Sequence, residues 1–288
     1  MQVIRPRPHI LIFLMRSLRR LLIMIELLWV PFLACISLVL IHVYFGAQVL
    51  KRGILFIDLA LAQWAAFGYL IGHWFELDSF YVYAVAFSFT VFASLILSVL
   101  TQVYKDVNYQ EAVIGVLYIL ATALSVGFIS MTGMEGFHLK EMLAGHLLFV
   151  ELPEVFLAVT IYSAVAMLLV LFNRWWQMKQ SALGDFIFYL LFGLVVTSSV
   201  KMVGLLLVFS FLVIPVLTVV LLTESFKKRV FYGWGIGILS SVIGLIFSLI
   251  IDVPPSYSII LVLCVFWVLS TLLGLREINW TRHNIKAQ

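Results

Sequence analysis

Charge is scarce in this sequence. Only 11% of its 288 residues are Asp, Glu, Lys or Arg, 64% are apolar, and the mean hydropathy is +1.15. A soluble domain cannot hide that much apolar surface from water, so the soluble globular classes are excluded and an integral membrane protein is expected. Cysteine is scarcer still. Cys35 and Cys264 each lie inside an apolar run, which supports neither a disulfide framework nor a thiolate metal site and leaves both as small core residues. Catalytic signatures are missing too. No G-x-x-x-x-G-K-[ST] loop is present to cradle a nucleotide phosphate, so any energy source lies outside the chain. The lack of H-E-x-x-H, C-x-x-C and G-x-S-x-G argues against a membrane protease, a redox enzyme or a lipase. Transport is left as the leading class, with no enzymatic activity expected. The net charge of +4 does not indicate a nucleic-acid partner, because the basic residues are scattered through short hydrophilic gaps rather than gathered on one element.

What is present is a succession of apolar windows. A hydrocarbon core about 30 Å thick needs roughly 20 apolar residues of helix. Windows of that length fall at 26–50, 54–74, 80–100, 111–130, 155–172, 184–200, 202–223, 231–251 and 256–274. The expected fold is therefore all-α, a polytopic membrane protein with eight or nine transmembrane helices. The sixth and seventh windows run together through "TSSVKMVG", as either a tight hairpin or one broken element. Three regions follow: an Arg-rich extension at 1–23, a transmembrane domain at 24–274 and a tail at 275–288.

Basic residues orient the spans. With the start of the first span outside, the inner loops and tail hold Lys51, Arg52, Lys105, Arg174, Lys179, Lys227, Lys228, Arg229, Arg276, Arg282 and Lys286, against only Lys140 and Lys201 outside. Eleven against two is a strong positive-inside signal. Acids take the opposite side, with Glu76, Asp78, Glu135, Glu141, Glu151, Glu154 and Asp252 all outside. An acidic outer face suits a cation. The first 23 residues conflict with this pattern, because Arg5, Arg7, Arg16, Arg19 and Arg20 fall on the outer side. An interfacial amphipathic helix, an atypical targeting extension, or a start at Met24 each resolve the conflict.

Polar groups inside the spans are few: His42, Asp58, Gln63 and Lys201. A charge at mid-bilayer costs around 2.5–3.5 kcal/mol on insertion scales, so such groups face a cavity or each other. Counted from Lys51 and Arg52 at about 1.5 Å per residue, His42 lies about 13 Å up the first span and Gln63 about 17 Å up the second. An imidazole and an amide oxygen at one depth suit a passing divalent ion, zinc in particular; hydrogen bonds to each other or to a neighbouring carbonyl, tying two helices together, account for the same pair. Asp58 points roughly 140° away from Gln63 on a straight helix, which favours a structural role, snorkelling to the cytoplasmic edge or pairing with Arg52, over a shared ion. At the outer face, His73, Glu76 and Asp78 are joined by Glu135, His138, Glu141 and His146 from the fourth-to-fifth connection. Their spacing matches no fixed ligand motif, so a solvated rim or a docking surface competes with a defined metal site.

Several stretches carry a family likeness. They are "MIELL" at 24–28, "IHVYFGAQVLKRGILFIDLALAQWAAFG" at 41–68, "EAVIGVLY" at 111–118, "HLKEMLAG" at 138–145 and "FGLVVTSSVKMVGLLLVFSFLVIPV" at 192–216. Together they resemble the membrane permease subunit of zinc/manganese-type ABC importers, across almost the whole chain from Met24. That resemblance implies a homodimer in the bacterial plasma (inner) membrane, a cytoplasmic ATPase that binds the ATP, and an extracytoplasmic metal-binding protein that delivers the ion. It implies no cofactor in this chain, a transported zinc or manganese ion, and His42, Asp58 and Gln63 along the metal pathway. Two departures accompany it. Many relatives carry Asp and His four apart in the second span, where this chain has Leu59 and Gln63. The segment that seats in the ATPase is reduced to "NRWWQMKQSALGDF", leaving Arg174, Lys179, Ala182, Leu183 and Gly184 for coupling, with Trp175 and Trp176 at the lipid interface. Two rivals remain: a gradient-driven secondary transporter, against which stands the lack of a central acid pair, and a degenerate permease with a scaffold role.

Overall fold

The computed structural model describes residues 8–133, 145–176 and 182–286, with side chains at 26–133, 145–171 and 182–274. The described backbone is helical, without strands, and contains nine α-helices: α1 (Pro8–Arg52), α2 (Ile57–Trp74), α3 (Ser79–Val103), α4 (Val107–Thr132), α5 (Leu152–Trp176), α6 (Ala182–Val203), α7 (Leu205–Val220), α8 (Phe226–Ile251) and α9 (Pro255–Lys286). A 3-10 turn at Leu147–Phe149 precedes α5. Helix is the outcome demanded by a solvent that offers no hydrogen bonds, since only intrahelical pairing satisfies every buried N–H and C=O. Where a helix must start or stop, local chemistry does it. Asp106 caps α4 by accepting from the Asn108 N–H at 2.8 Å, and Gly133 ends that helix in the left-handed conformation.

Seven helices are long and apolar enough to cross a membrane; α2 and α7 fall short. At 16 residues, α7 is about 24 Å long. Buried shares separate an inner layer from an outer one: 61% of the apolar window of α6 is buried but only 22% of those of α4 and α9. α2 lies between α3, α4 and α6, while α1 packs against α7 and α8, and α9 against α7 and α8. An aromatic cluster joins the two sets, with Phe45 of α1 at 5.6 Å and 4.9 Å from Phe188 and Phe192 of α6, ring centre to ring centre.

The sixth and seventh windows are resolved by Gly204, whose φ of 84° and ψ of 156° lie where only glycine is comfortable. The chain reverses there. Phe45 touches Phe192 while a Cβ on the adjacent Gly46 would run into the Leu212 carbonyl, so residues 192 and 212 share one height on opposite arms. Ser256 Oγ donates to the Val203 carbonyl at 3.4 Å and Ser270 Oγ to that of Thr218 at 2.6 Å, which sets α9 alongside the returning arm. The expected seventh span at 202–223 is thus shortened to Leu205–Val220 by the turn. At the other end of the chain, residues 8–23 continue α1 without a break, giving a helix about 68 Å long, more than twice the hydrocarbon core.

Candidate functional site

Three groups of side chains lie along the bundle. The central one is built on His42, which is fully buried. Its Nδ1 lies 2.9 Å from the Leu38 carbonyl one turn back, and its ring meets Tyr162 edge-on at 6.3 Å. Tyr162 and Ser199 share a hydrogen bond of 2.7 Å, and Ser199 Oγ also lies 2.6 Å from the Val195 carbonyl. α1, α5 and α6 therefore meet around one imidazole. Its other nitrogen, Nε2, is buried with no hydrogen-bond partner among the described residues, a vacancy that a protein normally fills.

Gln63 is buried, but no hydrogen bond joins it to His42 among the described residues. The direct bond between the two is therefore not made among the described residues, while the imidazole takes the other alternative, a neighbouring carbonyl, in Leu38. Asp58 departs further from expectation. It is fully buried in the first turn of α2, and neither carboxylate oxygen has a hydrogen-bond partner among the described residues. Arg52 does not reach it. The guanidinium turns to Asp185 at 2.9 Å and lies 4.2 Å over the Phe188 ring, because a planar fork gains more from a carboxylate plus an aromatic face than from a carboxylate alone.

The outer group lines a cavity of about 250 Å³ between α2, α3, α6 and the start of α5. Lys201 spans it: its Nζ lies 3.9 Å from Glu154 Oε1 and 4.4 Å from the centre of the Tyr83 ring. His146, Tyr69 and Thr197 complete the wall. Gly145 places His146 there. With φ of 65° and a position whose Cβ would collide with the Val203 backbone, it lays the connection directly on the Gly204 turn. Of the expected outer residues that are described, His146 alone lines this cavity. The exposed His73 ring lies tilted against that of Tyr69, 4.4 Å centre to centre. Glu76, held at a φ of 50°, and Asp78, at the start of α3, are exposed. Glu135, His138 and Glu141 lie outside the described residues. No three His, Cys, Asp or Glu side chains gather into a metal-holding group among the described residues.

The inner group surrounds Asp185. It accepts from Arg52 and, at 2.9 Å, from Gln102 Nε2, so α1, α3 and α6 are tied at one point. Ala182, Leu183 and Gly184 form the first turn of α6, immediately before it, with Leu183 exposed. Arg174 lies near the end of α5, its side chain outside the described residues, and Lys179 lies outside them altogether. Asp185 was missed from sequence because its partner is 133 residues away. Its position directly after the Ala-Leu-Gly turn is the signal that points to it.

The family model described as "ABC 3 transport family" matches residues 24–274. The chain belongs to the ABC 3 transport family. It is a multi-pass protein of the bacterial inner membrane, as the sequence motifs imply. Among its relatives is the manganese transport system membrane protein MntC of Halalkalibacterium halodurans, 28% identical over 188 residues; the alignment covers 60% of this chain and 64% of that one. The high-affinity zinc uptake system membrane protein ZnuB of Buchnera aphidicola is 28% identical over 266 residues, 86% of this chain and 98% of that protein. Among solved structures, PsaBC from Streptococcus pneumoniae in complex with Fab matches with a TM-score of 0.68 at 20% identity, over 85% of this chain and 90% of that chain.

Proposed function

We propose that this chain is the membrane permease subunit of an ABC importer that moves a divalent transition metal into the cytoplasm, zinc first and manganese or iron next. The observation that carries the reading is the family match across residues 24–274. Supporting it are relatives named for manganese and zinc transport, the latter aligned over 98% of its length. With no phosphate-binding loop in the sequence, the work comes from a separate cytoplasmic ATPase seated against the start of α6, where Ala182, Leu183 and Gly184 precede the Asp185 tie. Two copies of the chain form the pore, and an extracytoplasmic binding protein delivers the ion to the outer cavity. There Glu154 and His146 supply an oxygen and a nitrogen donor, and Lys201 is the resident cation that the ion displaces. The buried Nε2 of His42, the Gln63 amide and the carboxylate of Asp58 are the polar groups proposed to meet the ion deeper in the bundle. A sparse lining suits a conduit, because an ion must bind well enough to enter and weakly enough to leave.

The test is ATP-dependent uptake. The chain is reconstituted in liposomes with its ATPase and zinc-loaded binding protein, and internal zinc is followed with a fluorescent indicator. Accumulation that needs ATP is expected, and His42→Ala should lower its rate about tenfold while the complex still assembles. Zinc movement driven by a proton or sodium gradient with no ATPase present would overturn the reading in favour of a secondary transporter.

A further inference from the structure

An apolar groove of about 640 Å³ separates α5 from α1 and reaches α8 at its inner end. Leu33 and Ile41 line it from α1, Phe156 and Ala166 from α5, and Tyr44 and Trp234 close its inner end. Four of the polar groups that border it are already engaged. Ser37 Oγ donates to the Ala34 carbonyl, Trp234 Nε1 to that of Leu40 at 3.0 Å, Tyr162 is bonded to Ser199, and the Tyr44 hydroxyl accepts from Gln48. Apart from the Ser163 hydroxyl, such a groove has little to offer water. It runs about 16 Å along α1 from Leu33 to Tyr44 and about 27 Å along α5 from Leu152 to Val170, so it is at least as deep as one leaflet of a ~30 Å core.

Tyr44 and Trp234 also wall a second hollow, of about 510 Å³, whose other side is formed by Phe226, Lys227 and Lys228 at the start of α8. Both lysines are exposed, and neither joins an ion pair among the described residues. The neighbouring Arg229 is tied back, its Nε donating to the Thr223 carbonyl at 2.8 Å. Two free ammonium groups thus stand at the mouth of a hydrocarbon-lined slot, on the end of the bundle that the basic residues assign to the cytoplasm.

We propose that the two hollows form one binding site for an anionic phospholipid of the inner leaflet, with an acyl chain in the α1–α5 groove and the phosphate between Lys227 and Lys228. Basic pockets between transmembrane helices on the cytoplasmic side attract such headgroups, and only a lipid supplies hydrocarbon and negative charge in one molecule at this depth. Because Tyr162 borders the groove and also meets the His42 ring, the bound chain would buttress α5 beside the buried imidazole.

The experiment uses the full chain in phosphatidylcholine vesicles containing brominated phosphatidylglycerol or brominated phosphatidylcholine, with tryptophan fluorescence as the readout. Brominated phosphatidylglycerol should quench the component lost in Trp234→Phe at about 30-fold lower mole fraction than the neutral lipid, the preference expected of two lysines. Replacing Lys227→Gln together with Lys228→Gln should bring that ratio to about one, and Ala166→Phe, which fills the groove, should remove the quenching by both lipids. Phosphatidylglycerol retained through extensive detergent washing, counted by mass spectrometry, gives a second readout that should fall in the same variants. Equal quenching by the two lipids, or a preference that survives loss of both lysines, would overturn the proposal. So would efficient disulfide formation between two copies carrying Val159→Cys, since a second copy would then occupy the groove.

Discussion

Among the described residues, each end of the bundle carries an ion pair beside an aromatic ring, and the two are built to opposite ends. At the inner end, the Arg52 fork holds Asp185 at 2.9 Å, covers Phe188, and shares its carboxylate with Gln102. At the outer end, the Lys201 ammonium stands 3.9 Å from Glu154 over an open cavity, and their side chains are 33% and 45% exposed. A planar guanidinium in a charge-assisted hydrogen bond fixes geometry. An ammonium near a half-exposed carboxylate fixes little and contributes about 0–1 kcal/mol. The inner contact therefore locks three helices at the proposed seat of the ATPase, whereas the outer contact holds Glu154 only loosely, as the proposed exchange of Lys201 for a divalent ion requires.

That contrast can be broken or sharpened by experiment. The largest effect is expected where the outer end is founded. Gly204→Val puts a β-branched residue at a φ of 84°, and strain of about 2–3 kcal/mol should cut the folded yield and the thermal midpoint in detergent; an unchanged midpoint would show that the reversal does not depend on glycine. Next comes the inner clasp. Asp185→Ala strips Arg52 and Gln102 of an acceptor at a cost of about 2 kcal/mol, with Asp185→Asn intermediate in thermal unfolding. If Asp185→Ala proved as stable as the parent, the inner end would be no tighter than the outer.

Lys201→Met is predicted to change stability by less than about 1 kcal/mol yet to lower the half-saturating metal concentration for uptake several-fold, because Glu154 is left without a competing cation. Slower uptake at limiting metal would show instead that the lysine holds the cavity open. The smallest effect is ionic. Raising salt from about 0.05 to 0.5 M shortens the screening length severalfold, so metal competition at the outer cavity should weaken while the thermal midpoint set by the inner clasp stays within a degree or two. A midpoint that tracked salt would place the clasp in water rather than between helices.

The outcome for individual residues shows what a one-dimensional reading reaches. His42 was found because an imidazole inside an apolar window is conspicuous, and its burial with an unpartnered Nε2 agrees with that prominence. Asp58 was equally conspicuous, but the pairing expected for it was chosen by nearness in sequence, and Arg52 took Asp185 instead. The Ala182, Leu183 and Gly184 turn at the start of α6 was conspicuous in the sequence, whereas the part played by the aspartate that follows it was not, since an ordinary helix-starting acid reveals nothing of its distant partners. Lys201 drew notice as a charge in a span; its contact with Glu154 and Tyr83 joins three helices that no spacing rule connects.

Sequence by itself determined that this chain lives in a bilayer, that it crosses it as a succession of helices, which segments are basic, and which family it resembles. Each of these follows from composition and local pattern, because an apolar solvent leaves the backbone one economical way to satisfy itself. Tertiary structure alone decided that the chain turns back at Gly204, that Arg52 clasps Asp185, that Lys201 stands in the outer cavity, and that α5 leans away from α1 to leave a groove. Those features depend on which faces of separate helices meet, and in a membrane that choice rests on packing and a few polar contacts rather than on hydrophobic pattern.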